Sequence, residues 1–157
     1  MTGPEPRAGA NVRVLPILVY GLPLGSMVLL HRWVPLAMPD GGGRSAFGAI
    51  LAIIGLALCA SGMMVFASNS TTILPHRAPS ALVTEGPYRF TRNPMYSGLA
   101  LGYVGVAVLV GSWWPLLALP LVLFAMRRLV IDREETYLRA AFGPSYDLYC
   151  SRVRRWF

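Results

Sequence analysis

Ser45 through Ala67 carry no charged side chain. About twenty apolar residues are enough to cross the hydrocarbon core of a bilayer. In that medium every backbone polar group must be satisfied within the protein, which leaves helices or closed barrels. The run shows no apolar/polar alternation, so it reads as a helix. Composition extends the point to the whole chain. Of 157 residues, 55 % are hydrophobic and 13 % charged, against roughly 25 % charged in a soluble domain. So few polar side chains argue against a soluble enzyme, a disordered chain or a fibrous one.

Further spans flank this run. The first extends from about Val14 to Leu30, ahead of His31-Arg32-Trp33. Arg7 and Arg13 resemble the basic start of a signal peptide, but the apolar part is long for one, and no small-residue cleavage site follows. A retained helix is expected, kinked at Pro16 and Pro23. Asp40-Gly41-Gly42-Gly43-Arg44 reads as a turn into the second span, whose Gly48, Gly55, Ala60 and Gly62 would admit a close neighbour. The segment from Asn69 to Pro87, with Pro75 and Pro79, reads as a loop. From Met95 to about Val130 the chain is nearly all apolar and too long for one span. Gly111-Ser112-Trp113-Trp114-Pro115 divides it into a tight helical hairpin. The expectation is an all-α polytopic bundle forming one membrane domain over 1–157. Its four spans lie at about 14–30, 45–67, 94–110 and 115–130, with C-terminal cytoplasmic helices after them.

All 14 basic residues are arginine, and the net charge is +7. Nucleic-acid binding would need a continuous basic face on a soluble fold. Here the arginines stand between apolar stretches, as juxtamembrane anchors do, which makes membrane lipids the expected partners. Four spans put every arginine except Arg32 and Arg44 on one side, together with both termini. By the positive-inside rule that side is cytoplasmic, and a bacterial inner membrane is the expected setting. Cys59 and Cys150 suggest neither a disulfide nor a zinc site, and His31 and His76 read as incidental. No HExxH, CxxC, Walker or GxGxxG pattern is present, so metal and nucleoside-triphosphate chemistry are not expected.

Polar residues gather in two places, Thr84–Tyr96 and Arg127–Tyr149, at the two ends of the hairpin. A tight hairpin sets those ends side by side. Asn93 is a good N-cap and Pro94 a good first helical residue. The helix start would favour an anion such as a carboxylate, or it merely begins a helix while Arg92 meets lipid phosphate. In the second cluster, Arg128, Asp132, Glu135 and Arg139 share one helical face, and Arg127, Ile131, Glu134 and Leu138 the adjacent stripe. The plain reading is a solvated helix with Arg128–Asp132 and Glu135–Arg139 pairs. The functional one is a pair of carboxylates that could hold an ammonium or sulfonium. Gly143-Pro144 ends the helix. A short helix follows, expected to pack Tyr146, Tyr149 and Val153 under the bundle, and Arg154, Arg155, Trp156 and Phe157 read as an interfacial anchor.

Gly86-Pro87-Tyr88-Arg89, then Arg92-Asn93-Pro94-Met95-Tyr96, a hairpin, Glu134-Glu135 and Phe142-Gly143-x-x-Tyr146-x-x-Tyr149 occur in that order. The set resembles the isoprenylcysteine carboxyl methyltransferase and phospholipid methyltransferase superfamily over about 82–157. The resemblance implies an integral membrane enzyme that uses S-adenosylmethionine. The cofactor would sit in the C-terminal half, and a lipophilic acceptor would arrive from the lipid. Carried over, Arg92, Asn93, Pro94 and Tyr96 stand for the family's Arg-His-Pro-x-Tyr motif, and Glu134 and Glu135 for its Glu-Glu motif. Both are associated with cofactor binding, and Tyr146 and Tyr149 match the pattern that helps close the pocket. Arg89 or Arg92 would meet the cofactor's carboxylate, and Glu134 or Glu135 its ammonium or ribose. Arg128, a candidate for orienting an anionic acceptor, and Glu135 are the candidates at the reacting centre. Asn93 stands where many members have His. Asn can cap and donate a hydrogen bond but cannot titrate. The competing readings are an NADPH-dependent sterol-reductase-like enzyme and a non-catalytic membrane subunit.

Overall fold

The computed structural model describes Val12, residues 14–68 and residues 82–156. Arg7, Arg13, His76, Arg77 and most of the expected loop lie outside the described residues. The described chain is all helical in its regular elements: α1 (Pro16–Trp33), α2 (Arg44–Ser68), a 3₁₀ turn (Gly86–Arg89), α3 (Pro94–Val110), α4 (Trp113–Met126), a π-helical segment (Arg127–Ile131), α5 (Asp132–Phe142) and α6 (Pro144–Arg152). Among the described residues, two helices are long and apolar enough to cross a membrane, α2 and the continuous run Trp113–Phe142.

Several expectations about the helices need correction. Pro16 is the first helical residue of α1 rather than a kink, because its missing N–H costs nothing there. Pro23 lies inside α1, as expected. The helix that carries the last apolar arm does not end where the apolar residues do. It passes through the π segment into α5 as one rod. There the Asp132 N–H donates to the Arg127 carbonyl, one residue further back than in an α-helix.

α3 lies between α2 on one side and α1 and α4 on the other. The α2–α3 contact is close because both helices present glycine. A Cβ added to Gly55 would stand 2.6 Å from the Gly102 nitrogen and the Gly98 carbonyl oxygen, and one added to Gly105 would stand 2.5 Å from the Ala52 nitrogen. Gly48, Gly55 and Gly62 are buried in this seam as expected, whereas Ala60 faces outward. Small residues allow backbones to meet where hydrocarbon surroundings offer no hydrophobic drive. Beside the seam, the Cys59 thiol donates to the Met95 carbonyl (3.0 Å), and neither cysteine is in a disulfide. On the opposite flank the Tyr20 hydroxyl donates to the Tyr96 carbonyl at 3.2 Å, and its ring meets Tyr103 edge-on.

At one end of the bundle, the α1–α2 connection docks on the α3–α4 turn. Gly111 closes α3 in the left-handed region (φ 71°), and its carbonyl accepts from Met38 N–H at 2.8 Å. Trp113 N–H donates to the Leu36 carbonyl, and the Trp114 indole N–H to the Val34 carbonyl at 2.7 Å. Arg44 donates to the Val108 carbonyl at 2.7 Å and to Asp40 at 2.9 Å. The Asp40 carboxylate is almost fully exposed, so that pair adds little. The bond to the last turn of α3 is the one that matters: it adds a charged donor to a carbonyl that otherwise has only the Gly111 N–H at 3.1 Å, at the helix end where the dipole favours a cation. Arg44→Ala is expected to cost about 1.5 kcal/mol, read as a lower melting temperature in detergent, with Asp40→Ala nearly neutral.

Candidate functional site

The opposite end collects the start of α3, α5, α6 and the residues after it. Pro94 is the first residue of α3, and Asn93 holds the N-cap position. The Asn93 side chain makes no cap, however. Its amide donates to the Arg155 carbonyl at 3.0 Å, and the Asn93 N–H donates to the Thr91 hydroxyl. This corrects the capping role expected of it, because the tail offers a better-placed acceptor. Thr91 in turn donates to the same Arg155 carbonyl (3.0 Å), and Arg92 N–H to the Arg154 carbonyl (2.9 Å). The tail therefore runs across the entry to α3. Trp156, half-buried, packs against the core as part of this strap, and Phe157 lies outside the described residues.

The rod that carries the twin acids reaches the same place. The Tyr96 hydroxyl donates to Glu134 at 2.7 Å. Glu135, 7 % exposed, accepts both a 2.9 Å and a 2.6 Å bond from the Arg155 guanidinium. Arg92 stands 3.4 Å from the same carboxylate and also donates to the Cys150 sulfur. Asp132 pairs with Arg155 at 3.3 Å and with Arg127 at 3.7 Å. The expected Arg128–Asp132 and Glu135–Arg139 pairs do not form. The π segment moves the first pairing to a five-residue step, and Arg139 instead donates to Asp147 at 2.9 Å. Nor is α5 a solvated helix on this face.

Electrostatics separate the two acids. Burial pushes the Glu134 carboxyl from 4.5 up to about 7; the Tyr96 hydrogen bond works against the shift and the Glu135 charge adds to it. Glu135 is matched by two guanidinium groups. Tyr149, whose hydroxyl donates to the Tyr88 carbonyl at 2.7 Å, has its phenol pushed up to about 12 by burial. Among the described residues, the buried Tyr88 and Ser97 hydroxyls and Nε of Arg92 lack a hydrogen-bond partner, as does Nε of Arg44 at the other end of the bundle. Buried polar atoms are nearly always paired in folded proteins, so orphans gathered around α3's first turns mark a place suited to a polar ligand.

Of the residues singled out from the sequence, the fold brings Arg92, Asn93, Pro94, Tyr96, Glu134 and Glu135 together, with Tyr149 adjoining through Tyr88. Tyr146 is buried beside Tyr149, ring centroids 6.2 Å apart. Two stand apart from this network. Arg89 is exposed at the end of the 3₁₀ turn, and Arg128 is exposed with its guanidinium 5.5 Å over the Phe124 ring. Arg155, Thr91, Tyr88 and Cys150 belong to the network but were not singled out for it. Arg155 had only the signature of a basic tail, and its partners are far away in sequence. Among the described residues, no group of three His, Cys, Asp or Glu side chains could hold a metal ion.

The sequence model of a family described as phospholipid methyltransferase matches residues 44–145. A protein-S-isoprenylcysteine O-methyltransferase of Schizosaccharomyces pombe is 38 % identical over 72 residues, covering 46 % of this chain and 30 % of that one. Protein-S-isoprenylcysteine O-methyltransferase B of Arabidopsis thaliana is 32 % identical over 111 residues, 69 % of this chain and 56 % of its own. A cobalt-zinc-cadmium resistance protein of Cupriavidus metallidurans is 30 % identical over 135 residues, 85 % of this chain and 57 % of its own. The chain thus spans less than two thirds of the length of each of these relatives.

Proposed function

The chain belongs to the phospholipid methyltransferase family, and from that premise we propose an integral membrane enzyme that transfers a methyl group from S-adenosylmethionine to a lipophilic acceptor. The observation that carries the reading is the meeting of α3's first turn with the twin acids, through Tyr96–Glu134 at 2.7 Å and Arg92–Glu135 at 3.4 Å. In this reading residues 1–157 form one membrane domain with 82–157 as its cofactor-binding half. Four spans cross the membrane, α3 and α4 form a hairpin, and both termini are cytoplasmic in a bacterial inner membrane. The arginine distribution supports that orientation. The spanning part of the long rod ends near Val130, which leaves the acids just outside the hydrocarbon.

The donor set fits the proposed cofactor. S-adenosylmethionine combines a carboxylate, an ammonium, a sulfonium and polar ribose and adenine groups, and when bound it supplies an electrophilic methyl. Arg92, with an open buried Nε, suits the carboxylate. Glu134 suits a cation or ribose hydroxyls, and the Tyr88 and Ser97 hydroxyls are free for further polar contacts. Tyr96 orients Glu134, while the buried Tyr149 adjoins the site through its bond to the Tyr88 carbonyl, with Tyr146 beside it. Holding donor and acceptor in line and excluding water supply much of the rate in such a displacement. Asn93, bound to a carbonyl and unable to titrate, takes no proton. Arg89 and Arg128 face outward, where they suit an anionic headgroup or acceptor approaching along the membrane surface.

The test is methyl transfer with the purified full chain in lipid nanodiscs. Labelled S-adenosylmethionine and membrane extract should yield a labelled lipophilic product, identified by mass. Binding of NADPH in place of S-adenosylmethionine, or no binding and no label with folded protein, would overturn the reading.

A further inference from the structure

Arg155 is engaged at both ends of its residue. Its carbonyl accepts from Thr91 and Asn93 at the entry to α3, and its guanidinium grips Glu135 through two bonds and Asp132 through a third contact on α5. Both carboxylate oxygens of Glu135 are thereby taken, one by Nε of Arg155 with Arg92 close by and the other by Nη2. Glu134, the neighbouring residue, instead takes its bond from a neutral hydroxyl on α3. The adjacent acids thus differ in what they have left to offer a ligand.

We propose that Arg155 is a positioning residue of the donor site: its grip on Glu135 makes that acid an internal keystone between α3's entry and α5, and leaves Glu134 as the acid that meets the donor. This rests on the donor assignment above. Several physical points support it. A carboxylate as enclosed as Glu135 needs its charge matched and its lone pairs filled. A guanidinium fork does both in one fixed plane, and that plane fixes the turn of α5 on which Glu134 stands. Without the fork, Arg92 is the remaining cation close to Glu135. It would be drawn fully onto that acid and away from any ligand carboxylate. Arg155 therefore acts on the donor through two other residues and need not touch it.

Removing the side chain leaves the carbonyl contacts of the tail available, so Arg155→Ala isolates the guanidinium. Donor affinity is measured by calorimetry with S-adenosylmethionine on the full chain in nanodiscs. Arg155→Ala and Glu135→Gln are each expected to weaken binding about tenfold, and the double variant no more than either single, because both remove one coupled device. Arg155→Lys, which keeps charge without the fork, should fall between parent and Arg155→Ala. Val122→Ala, a core truncation away from this network, provides a stability control and should bind within about twofold of the parent. Should Arg155→Ala not fold, Glu135→Gln with Arg155→Lys decides the matter. Parent-like affinity in the Arg155 and Glu135 variants, equal weakening by Val122→Ala, or additive losses would overturn the role of Arg155. A parent protein that binds no donor would instead overturn the functional reading itself.

Discussion

Gly55→Leu is expected to remove the native bundle, lowering stability by about 3 kcal/mol or more. The atoms a side chain would meet are backbone: the Gly102 nitrogen and the Gly98 carbonyl, each 2.6 Å from a Cβ. A flexible side chain could turn aside, but two backbones can only move apart. Separation of α2 from α3 would open the most extensive helix–helix contact among the described residues and uncouple α2 from the helix whose first turns line the candidate site. Thermal melting followed by circular dichroism in detergent reads the loss. Gly102→Ala is the matched control, since a Cβ there meets nothing within 4 Å. It should melt at or above the parent, because alanine is the better helix former. Equal melting of Gly55→Leu and Gly102→Ala would mean that the two helices are free to spread.

Glu134→Gln is expected to stabilise the protein while impairing it. The native carboxyl holds its proton up to about pH 7, whereas the unfolded chain releases it near 4.5. Between those values the native state binds more protons, so stability falls as pH rises across this window and stays lower above it. Glutamine removes that dependence. The variant should gain on the order of 2 kcal/mol over the parent at about pH 8 and little at about pH 4. Donor binding should move the other way. An ionised Glu134 attracts an ammonium or sulfonium, so parent affinity should drop as pH falls through about 7. The variant should bind about tenfold more weakly at about pH 8, with the pH dependence gone. Melting and calorimetry on the same preparations read both effects. A variant that binds as tightly as the parent would take Glu134 out of the donor site.

Local signals carried much of the architecture. The bounds of α3 follow from Asn93-Pro94 at one end and Gly111 at the other, and α2 from a run with no charge in it. These are short-range effects of φ restriction, left-handed backbone and desolvation, each written in a few adjacent residues. The convergence of Arg92–Tyr96 with Glu134-Glu135 follows from chain reversal alone. What escaped reading depends on distance or on register. Gly98 and Gly105 gain meaning only once Gly55 and Ala52 are set against them. The Asn93 side chain abandons its local cap for a carbonyl 62 positions away. Nothing in Arg127–Ile131 announces a widened turn, so Asp132 pairs with Arg127, one residue further back than a four-residue step reaches.

That widened turn gives a single rod two phases. Each residue of an α-helix advances the direction of its side chains by about 100°, so one extra residue between α4 and α5 swings the acids round relative to an uninterrupted α-helix. The azimuth of Glu134 and Glu135 is therefore set independently of which way Leu117, Leu121 and Phe124 look outward. Drift among the greasy positions of α4 can proceed without dragging the carboxylates off target, and the carboxylates can be re-aimed without disturbing the anchorage of the rod.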